Sequence, residues 1–341
     1  MAVIGDIIDQ RYEVLAELGD GTFGEAYRVY DHHQEFEVAL KLLDPSKIGQ
    51  WLWAEPTMLT HLQDHFVLRV WNAGIAVGTP YLVTELAPLG SLDKTCDGYG
   101  WPIADAVRAI RDACRGVLRI HQGGHLHRDI KLENLFVHDD GHVVVGDLGL
   151  AAKMNSSGCA APNGTPATAA PEVVVPGGQT SRASDVYSLG ASLYRLLTGV
   201  YPTTDLANDK AHLLALRAQG KMTPLRDLAP HVDAKLAARV NKALAFDPAD
   251  RYQSATAFDA ALGQLHDPAT CWRWVAPTSP ATRELSASRQ AKPGVVATVT
   301  PAKQRFEVVA RYQPSGKTIS SKTVTAAAVP VELRRIVKVI G

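Results

Sequence analysis

Residues His127-Arg128-Asp129-Ile130-Lys131-Leu132-Glu133-Asn134 place a base, a cation and an oxygen ligand for a metal within eight positions. An aspartate can take the proton of an attacking hydroxyl, a lysine can neutralise a phosphoryl group in flight, and an asparagine can hold magnesium. Each residue type is common on a polar loop, so the ordered octet carries the weight, and the chemistry it points to is phosphoryl transfer.

Such chemistry needs further parts in a fixed chain order. Leu18-Gly19-Asp20-Gly21-Thr22-Phe23-Gly24-Glu25-Ala26 gives G-x-G-x-x-G, in which glycines let backbone N–H groups close over triphosphate oxygens. The alternating flanks Tyr12-Glu13-Val14-Leu15 and Tyr27-Arg28-Val29-Tyr30 predict a strand on each side, so the loop is a hairpin tip. A dinucleotide-binding turn would need a helix directly after the glycines. Val38-Ala39-Leu40-Lys41 is a short apolar strand ending in a lysine that can reach phosphates. Val143-Val144-Val145-Gly146-Asp147 puts an acid at the end of an apolar strand, where it can bind a metal, and Ala170-Pro171-Glu172 follows after an intervening segment.

Taken together, these motifs resemble the eukaryotic-type protein Ser/Thr kinases that also occur in bacteria, over residues 10–265. The resemblance implies an α+β, bilobal fold with a β-rich N-lobe at 10–87 and an α-helical C-lobe at 88–265. It implies Asp129 as catalytic base, Lys131 as the phosphate-stabilising cation, and Asn134 and Asp147 as magnesium ligands, with manganese as a possible substitute. Lys41 would anchor ATP, and Leu18, Gly19, Asp20, Gly21, Thr22, Phe23, Gly24, Ala26 and Ala39 would enclose it. Thr84 in Tyr81-Leu82-Val83-Thr84-Glu85-Leu86-Ala87 would be the gatekeeper, with Glu85 and Ala87 offering backbone groups to adenine. A threonine there leaves room behind the base for bulky inhibitors. Thr165 in Asn163-Gly164-Thr165-Pro166 would contact Asp129 and Lys131. Asp185 would brace the catalytic loop, and Arg251 would pair with Glu172 as a forked, buried ion pair.

Departures from the pattern mark where control would lie. The helix that should pair a glutamate with Lys41 offers Glu55, followed at once by Pro56, which predicts a helix that starts late or kinks there. Trp51 and Trp53 are expected to pack in the N-lobe. Thr168 stands where relatives often carry an aromatic residue beside the phosphoacceptor, so substrate choice does not transfer. Ala26, Leu148 and Leu132 replace apolar residues by apolar residues and should preserve packing. Arg128 beside Asp129 marks the class ordered by phosphorylation of the activation segment, with Ser156 and Ser157 as candidate sites and autophosphorylation as the expected route.

A formal net charge of +0 gives no global reason to expect nucleic acid or membrane binding. No stretch approaches the length and apolarity of a membrane span, and the opening residues lack the basic start of a signal peptide, so the expectation is a cytoplasmic protein. Cys96, Cys114, Cys159 and Cys271 are scattered, which favours reduced thiols over a metal site. His121, His125 and His127 crowd together but straddle a helix end and the catalytic loop, so zinc is not expected. Helical spacing recurs over 104–120, 185–197, 212–218, 234–244 and 255–265.

Residues 276–301, rich in Pro, Ser, Thr and Ala, read as a linker. The element beyond it, 303–341, predicts a hairpin turning at Pro314-Ser315-Gly316-Lys317 and a final strand or short helix, with eight Lys and Arg against two acids. It could recruit an acidic partner or nucleic acid, pair with a neighbouring sheet, or pack on its own lobe. The expected substrate is protein. A small-molecule kinase would lack the segment around Thr165 and Glu172, and a partner-binding scaffold without activity would not need all of Lys41, Asp129, Lys131, Asn134 and Asp147.

Overall fold

The computed structural model describes residues 2–21, 24–45, 63–96, 99–265, 270–275, 282–289 and 292–340. Its N-terminal layer is an antiparallel sheet of β1 (Ile7–Ile8), β2 (Tyr12–Gly21), β3 (Gly24–Asp31), β4 (Phe36–Leu43), β5 (Val70–Ala76) and β6 (Thr79–Thr84), in the order β1-β2-β3-β4-β6-β5. Period-two alternation sends Tyr12, Val14, Tyr27, Val29, Val38, Leu40, Tyr81 and Val83 into one core. The register sets Ala39 beside Thr84 and Lys41 beside both Ala26 and Leu82, which fixes the walls of the site.

Below this sheet the chain becomes helical: α1 (Leu92–Thr95), α2 (Ile103–Gln122), α3 (Arg182–Thr198), α4 (Lys210–Ala218), α5 (Leu225–Leu228), α6 (Ala234–Ala243) and α7 (Ala255–Gly263). Short pairs β7 (His125–Leu126) with β10 (Ala152–Lys153), and β8 (Leu135–Val137) with β9 (Val143–Val145), carry the loops between α2 and α3. Helix α3 is the axis of this lobe. Ser181 and Ser184 form a reciprocal cap at its start, and Gly199, at φ +86°, ends it in the left-handed region open to glycine. Nearly every side chain of α3 is buried, including the carboxylate of Asp185 in its first turn.

The stretch 276–301 is not simply a linker, because it contains β12 (Arg283–Arg289) and most of β13 (Gly294–Ala302). With β11 (Thr270–Val275), β14 (Arg305–Gln313) and β15 (Thr318–Val324), they form a five-stranded antiparallel meander. The small residues that suggested a linker alternate: Val295, Ala297 and Val299 face a core while Val296, Thr298 and Thr300 face away. The final segment is a helix, α8 (Val329–Ile340), whose Leu333, Ile336 and Ile340 cover one face of the sheet. Trp274 Nε1 donates to Leu228 O at 2.7 Å and Arg334 Nη1 to Arg226 O at 2.9 Å, so sheet and helix both dock on α5.

Candidate active site

The backbone of the catalytic octet is held from below. The Asp185 carboxylate accepts N–H bonds from His127 at 2.9 Å and Arg128 at 3.0 Å, and His121 Nε2 lies 2.8 Å from it. Burial alone would push this carboxyl up, yet the His121 bond, the neighbouring imidazoles and the backbone N–H outweigh it and hold the pKa below the ordinary value. The histidine crowd thereby acquires structural roles. His121 braces Asp185, and His125 Nδ1 meets Gly123 O at 2.8 Å. His127 Nδ1 accepts from Asp129 N, which leaves Nε2 as the donor to Gly146 O at 3.0 Å. That last bond ties the octet to the strand end carrying Asp147.

Arg128 takes a left-handed φ of +68°, a costly conformation for a non-glycine residue, held by the Asp185 bonds to the His127 and Arg128 amides and by the Asp129 amide bond to His127 Nδ1. Its guanidinium donates to Leu150 O at 2.6 Å and Ala161 O at 2.9 Å, stitching the activation segment to the loop. Ser156 and Ser157 lie exposed at a turn in which Asn155 Oδ1 accepts from Ser157 N and Cys159 N.

Asp129 is 4% exposed and sits at the centre of a closed set of bonds. Its Oδ1 accepts from Thr165 N at 3.0 Å and Thr165 Oγ1 at 2.7 Å, and its Oδ2 lies 2.9 Å from Lys131 Nζ and 3.2 Å from Asn134 Nδ2. Lys131 Nζ also donates to Thr165 Oγ1 at 2.9 Å. Burial raises the Asp129 carboxyl, but the Lys131 charge and the Thr165 bond outweigh it, so it remains ionised below the ordinary carboxylate range. Gly164 makes this contact possible. At φ +129°, an added Cβ would stand 2.4 Å from Arg128 O, so only glycine lets the segment lie this close to the loop.

Above this set lies a cleft of about 440 Å³ between the lobes. Leu18, Gly19, Ala26, Ala39, Lys41, Thr84, Glu85 and Ala87 all line it, together with Lys131, Asn134 and Asp147. Lys41 Nζ reaches Asp147 Oδ2 at 2.8 Å, so the strand-end lysine and the strand-end acid meet across the lobes. Asp147 has φ +51°, which turns its carboxylate out of the strand line. Thr84 Oγ1 donates to Glu85 O at 3.1 Å, and the Glu85 carboxylate accepts from Arg69 N at 2.7 Å. Asp20 pairs with Glu25 and Gly21 with Gly24 across the hairpin, and a Cβ on Gly24 would overlap Leu42 O. Thr22, Phe23, Trp51, Trp53, Glu55 and Pro56 lie outside the described residues.

Several contributors were not legible from motif spacing. Leu68, Leu82 and Phe136 supply apolar lining, and Asp93 and Glu133 supply two carboxylates at the same cleft. Arg195 on α3 bonds Asp93 and lies 3.5 Å from Glu133, with its guanidinium 4.5 Å over the Tyr201 ring. Thr168 is buried and donates to Thr165 O, so it supports the substrate loop from behind. The forked pair forms as expected: Arg251 Nη1 and Nη2 reach the two Glu172 oxygens at 2.7 Å each.

A hard, small cation fits the donors here. The Asn134 amide nitrogen is committed to Asp129, which leaves its oxygen as the ligand atom, and Asn134 and Asp147 line the same cleft. Two protein oxygens suit magnesium, which takes its remaining ligands from water and phosphate.

Comparison with known proteins agrees with this geometry. Residues 12–261 match the protein kinase domain family. The chain is 34% identical over 272 residues to the serine/threonine-protein kinase PknL of Mycobacterium tuberculosis H37Rv, covering 75% of this chain and 66% of that protein. It is 32% identical over 279 residues to serine/threonine-protein kinase PknB of M. tuberculosis H37Ra, covering 76% of this chain and 44% of that one. The probable serine/threonine-protein kinase CPE1738 of Clostridium perfringens is 29% identical over 263 residues, covering 74% and 38%. The matched region thus spans less than two thirds of the length of these relatives. With the His127–Asn134 octet, Lys41 facing Asp147 and the Glu172–Arg251 fork all in place, and with residues 12–261 matching the family, the chain belongs to the protein kinase family.

Proposed function

We propose that this chain is an ATP-dependent protein serine/threonine kinase, transferring the γ-phosphate of ATP to a protein hydroxyl. The observation that carries the reading is the closed set formed by Asp129, Lys131 and Thr165 beneath a cleft that Lys41 and Asp147 span. The apolar walls at Leu18, Ala26, Ala39 and Phe136 suit a flat base, and Glu85 and Ala87, which line the same cleft, would offer it backbone groups. Lys41 would anchor the phosphates, while Asn134 and Asp147 would hold Mg2+ or Mn2+. The metal, when bound, supplies charge neutralisation on the phosphates.

The chain's own groups do the rest. Asp129, kept ionised by Lys131 and Thr165, accepts a hydrogen bond from the incoming hydroxyl and takes its proton as the bond to phosphorus forms. Its depressed basicity favours orientation of the hydroxyl over early deprotonation. Lys131 is already 2.9 Å from the Asp129 carboxylate and can follow the charge that develops on the transferred group. The Gly164-to-Glu172 segment, pinned at Thr165 and at the Arg251 fork, offers a protein substrate a fixed platform. Ser156 and Ser157, exposed at a turn of the same segment, are the proposed autophosphorylation sites.

Radiolabelled ATP with Mg2+ and a generic protein substrate tests this reading. Asp129→Asn should lower incorporation by about 10²–10⁴-fold while the variant keeps its fold. Mapping of the wild-type product should find phosphate between Asp147 and Glu172. Equal incorporation by wild type and Asp129→Asn would reject the catalytic assignment.

A further inference from the structure

The net charge of zero hides a division. Residues 270–341 carry twelve Lys and Arg against three acids, a net of +9, and residues 1–269 carry twenty-three against thirty-two, a net of −9. The basic share falls on the five-stranded sheet and α8, a unit with its own core. Two of its three acids are buried, Glu284 and Glu332, and Glu332 is engaged by Lys322 and Arg335. Arg283 lies over the Trp274 ring and Arg334 on Arg226 and Asp227, while Arg273, Lys303, Arg305, Arg311 and Lys317 are exposed.

Register shows where these cations lie. Trp272, Leu285, Ala297 and Val308 face α8, so the alternate residues form the opposite, helix-free face. On that face one cross-strand row runs Arg273, Ser286, Val296, Arg311, with both arginines exposed. Lys303 and Arg305 extend the charge at the β13–β14 turn, and Lys317 extends it at the β14–β15 turn. Among the described residues the ion pairs of this unit fall on Lys322, Arg334 and Arg335, which leaves these five cations without an acidic partner. Glu307 is the one exposed acid of residues 270–341 in the described structure.

We propose that the helix-free face of the C-terminal sheet binds the phosphate backbone of double-stranded nucleic acid, independently of base sequence. A nine-residue strand such as β14 is roughly 30 Å long, about the length of nine base-pair steps of a duplex at about 3.4 Å of axial rise each. Between the cations the face carries Ser286, Thr298, Thr300, Ser321 and Thr323, hydroxyl groups of the kind that bond phosphate and sugar, together with the exposed Glu307 between Thr300 and Thr323 and the buried Glu284 beside Thr298. The described aromatic rings of the unit pack with the α8 core: Trp272 and Trp274 are buried there, and Phe306 and Tyr312 lie against it. Without rings to stack unpaired bases, the face suits a duplex better than a single strand. It also lacks the apolar anchors around which a protein interface concentrates its energy.

Fluorescence anisotropy of the full chain with a labelled random-sequence duplex tests the proposal. Wild type should bind at about 50 mM salt and weaken at least about a hundredfold by about 200 mM. The combined variant Lys303→Glu, Arg305→Glu, Arg311→Glu and Lys317→Glu should bind more than tenfold more weakly and with a shallower salt slope. Its protein phosphorylation without nucleic acid should match wild type, which separates this test from that of the catalytic reading. The Gln series at the same positions gives the same readout should charge reversal impair folding. No duplex binding at low salt, equal binding by both variants and wild type, or polyglutamate displacing the duplex at equal charge concentration would each overturn it.

Discussion

At the residue scale, the group that separates this site from its motifs is Arg195. It bonds Asp93 and reaches Glu133, and Tyr201 donates to Glu133 Oε2 at 3.1 Å while stacking under the guanidinium. Arg195 thereby offsets one of the two negative charges of the cleft carboxylates and is shared between them, so a substrate entering beside them meets a reduced negative charge. Arg195→Met should expose both acids and raise kcat/KM for peptides with Lys or Arg flanking the phosphoacceptor by about tenfold over neutral peptides. Steady-state kinetics on a matched peptide pair reads this out, and an unchanged ratio would remove Arg195 from specificity. The fixed local order of residue types picked out Asp129, Lys131, Asn134, Lys41 and Asp147 in sequence, and the structure brings them together at one cleft. Arg195 was not readable, because its partners lie 102 and 62 positions away and no local pattern announces them.

At the element scale, the catalytic loop owes its shape to α3 and to the segment closed by Arg251. The Arg251 side chain is fully buried while Glu172 is partly open, so the fork is the guanidinium's main compensation. Glu172→Ala should strand that cation and cost about 3–5 kcal/mol, visible in denaturant unfolding. Adding Arg251→Met to it should recover part of the loss, because the stranded charge leaves with the arginine. The helices 182–198 and 234–243 were legible within a few residues, since apolar spacing and the Ser and Asp caps agree. The strands β12 and β13 were not. Their inward positions are filled by small residues such as Ala287 and Ala297, whose alternation with Ser and Thr has almost no hydropathy contrast. Trp272 and α8 supply the bulk that those strands lack.

At the scale of the whole molecule, acid should weaken the fold at a point far from the chemistry. His231, between α5 and α6, is buried, and neither ring nitrogen finds a hydrogen-bond partner among the described residues. Burial pulls its pKa down to about 3. The unfolded chain, with an imidazole near its ordinary value of about 6.5, therefore binds more protons from about pH 6.5 down to about 3. Stability is full above that window and falls as pH drops through it, by about 1.4 kcal/mol one unit below the unfolded value. His231→Leu should remove this part of the acid sensitivity in thermal melts compared at neutral pH and about pH 5.5. The two lobes, meanwhile, are joined across the cleft mouth by a weak, solvent-facing tie, the 3.0 Å bond from Lys94 Nζ on α1 to Leu18 O on the glycine-rich hairpin. Both groups face water and are satisfied by it when the bond parts, so the tie is a clasp that is cheap to undo. It leaves the mouth of the proposed nucleotide site able to open at little cost.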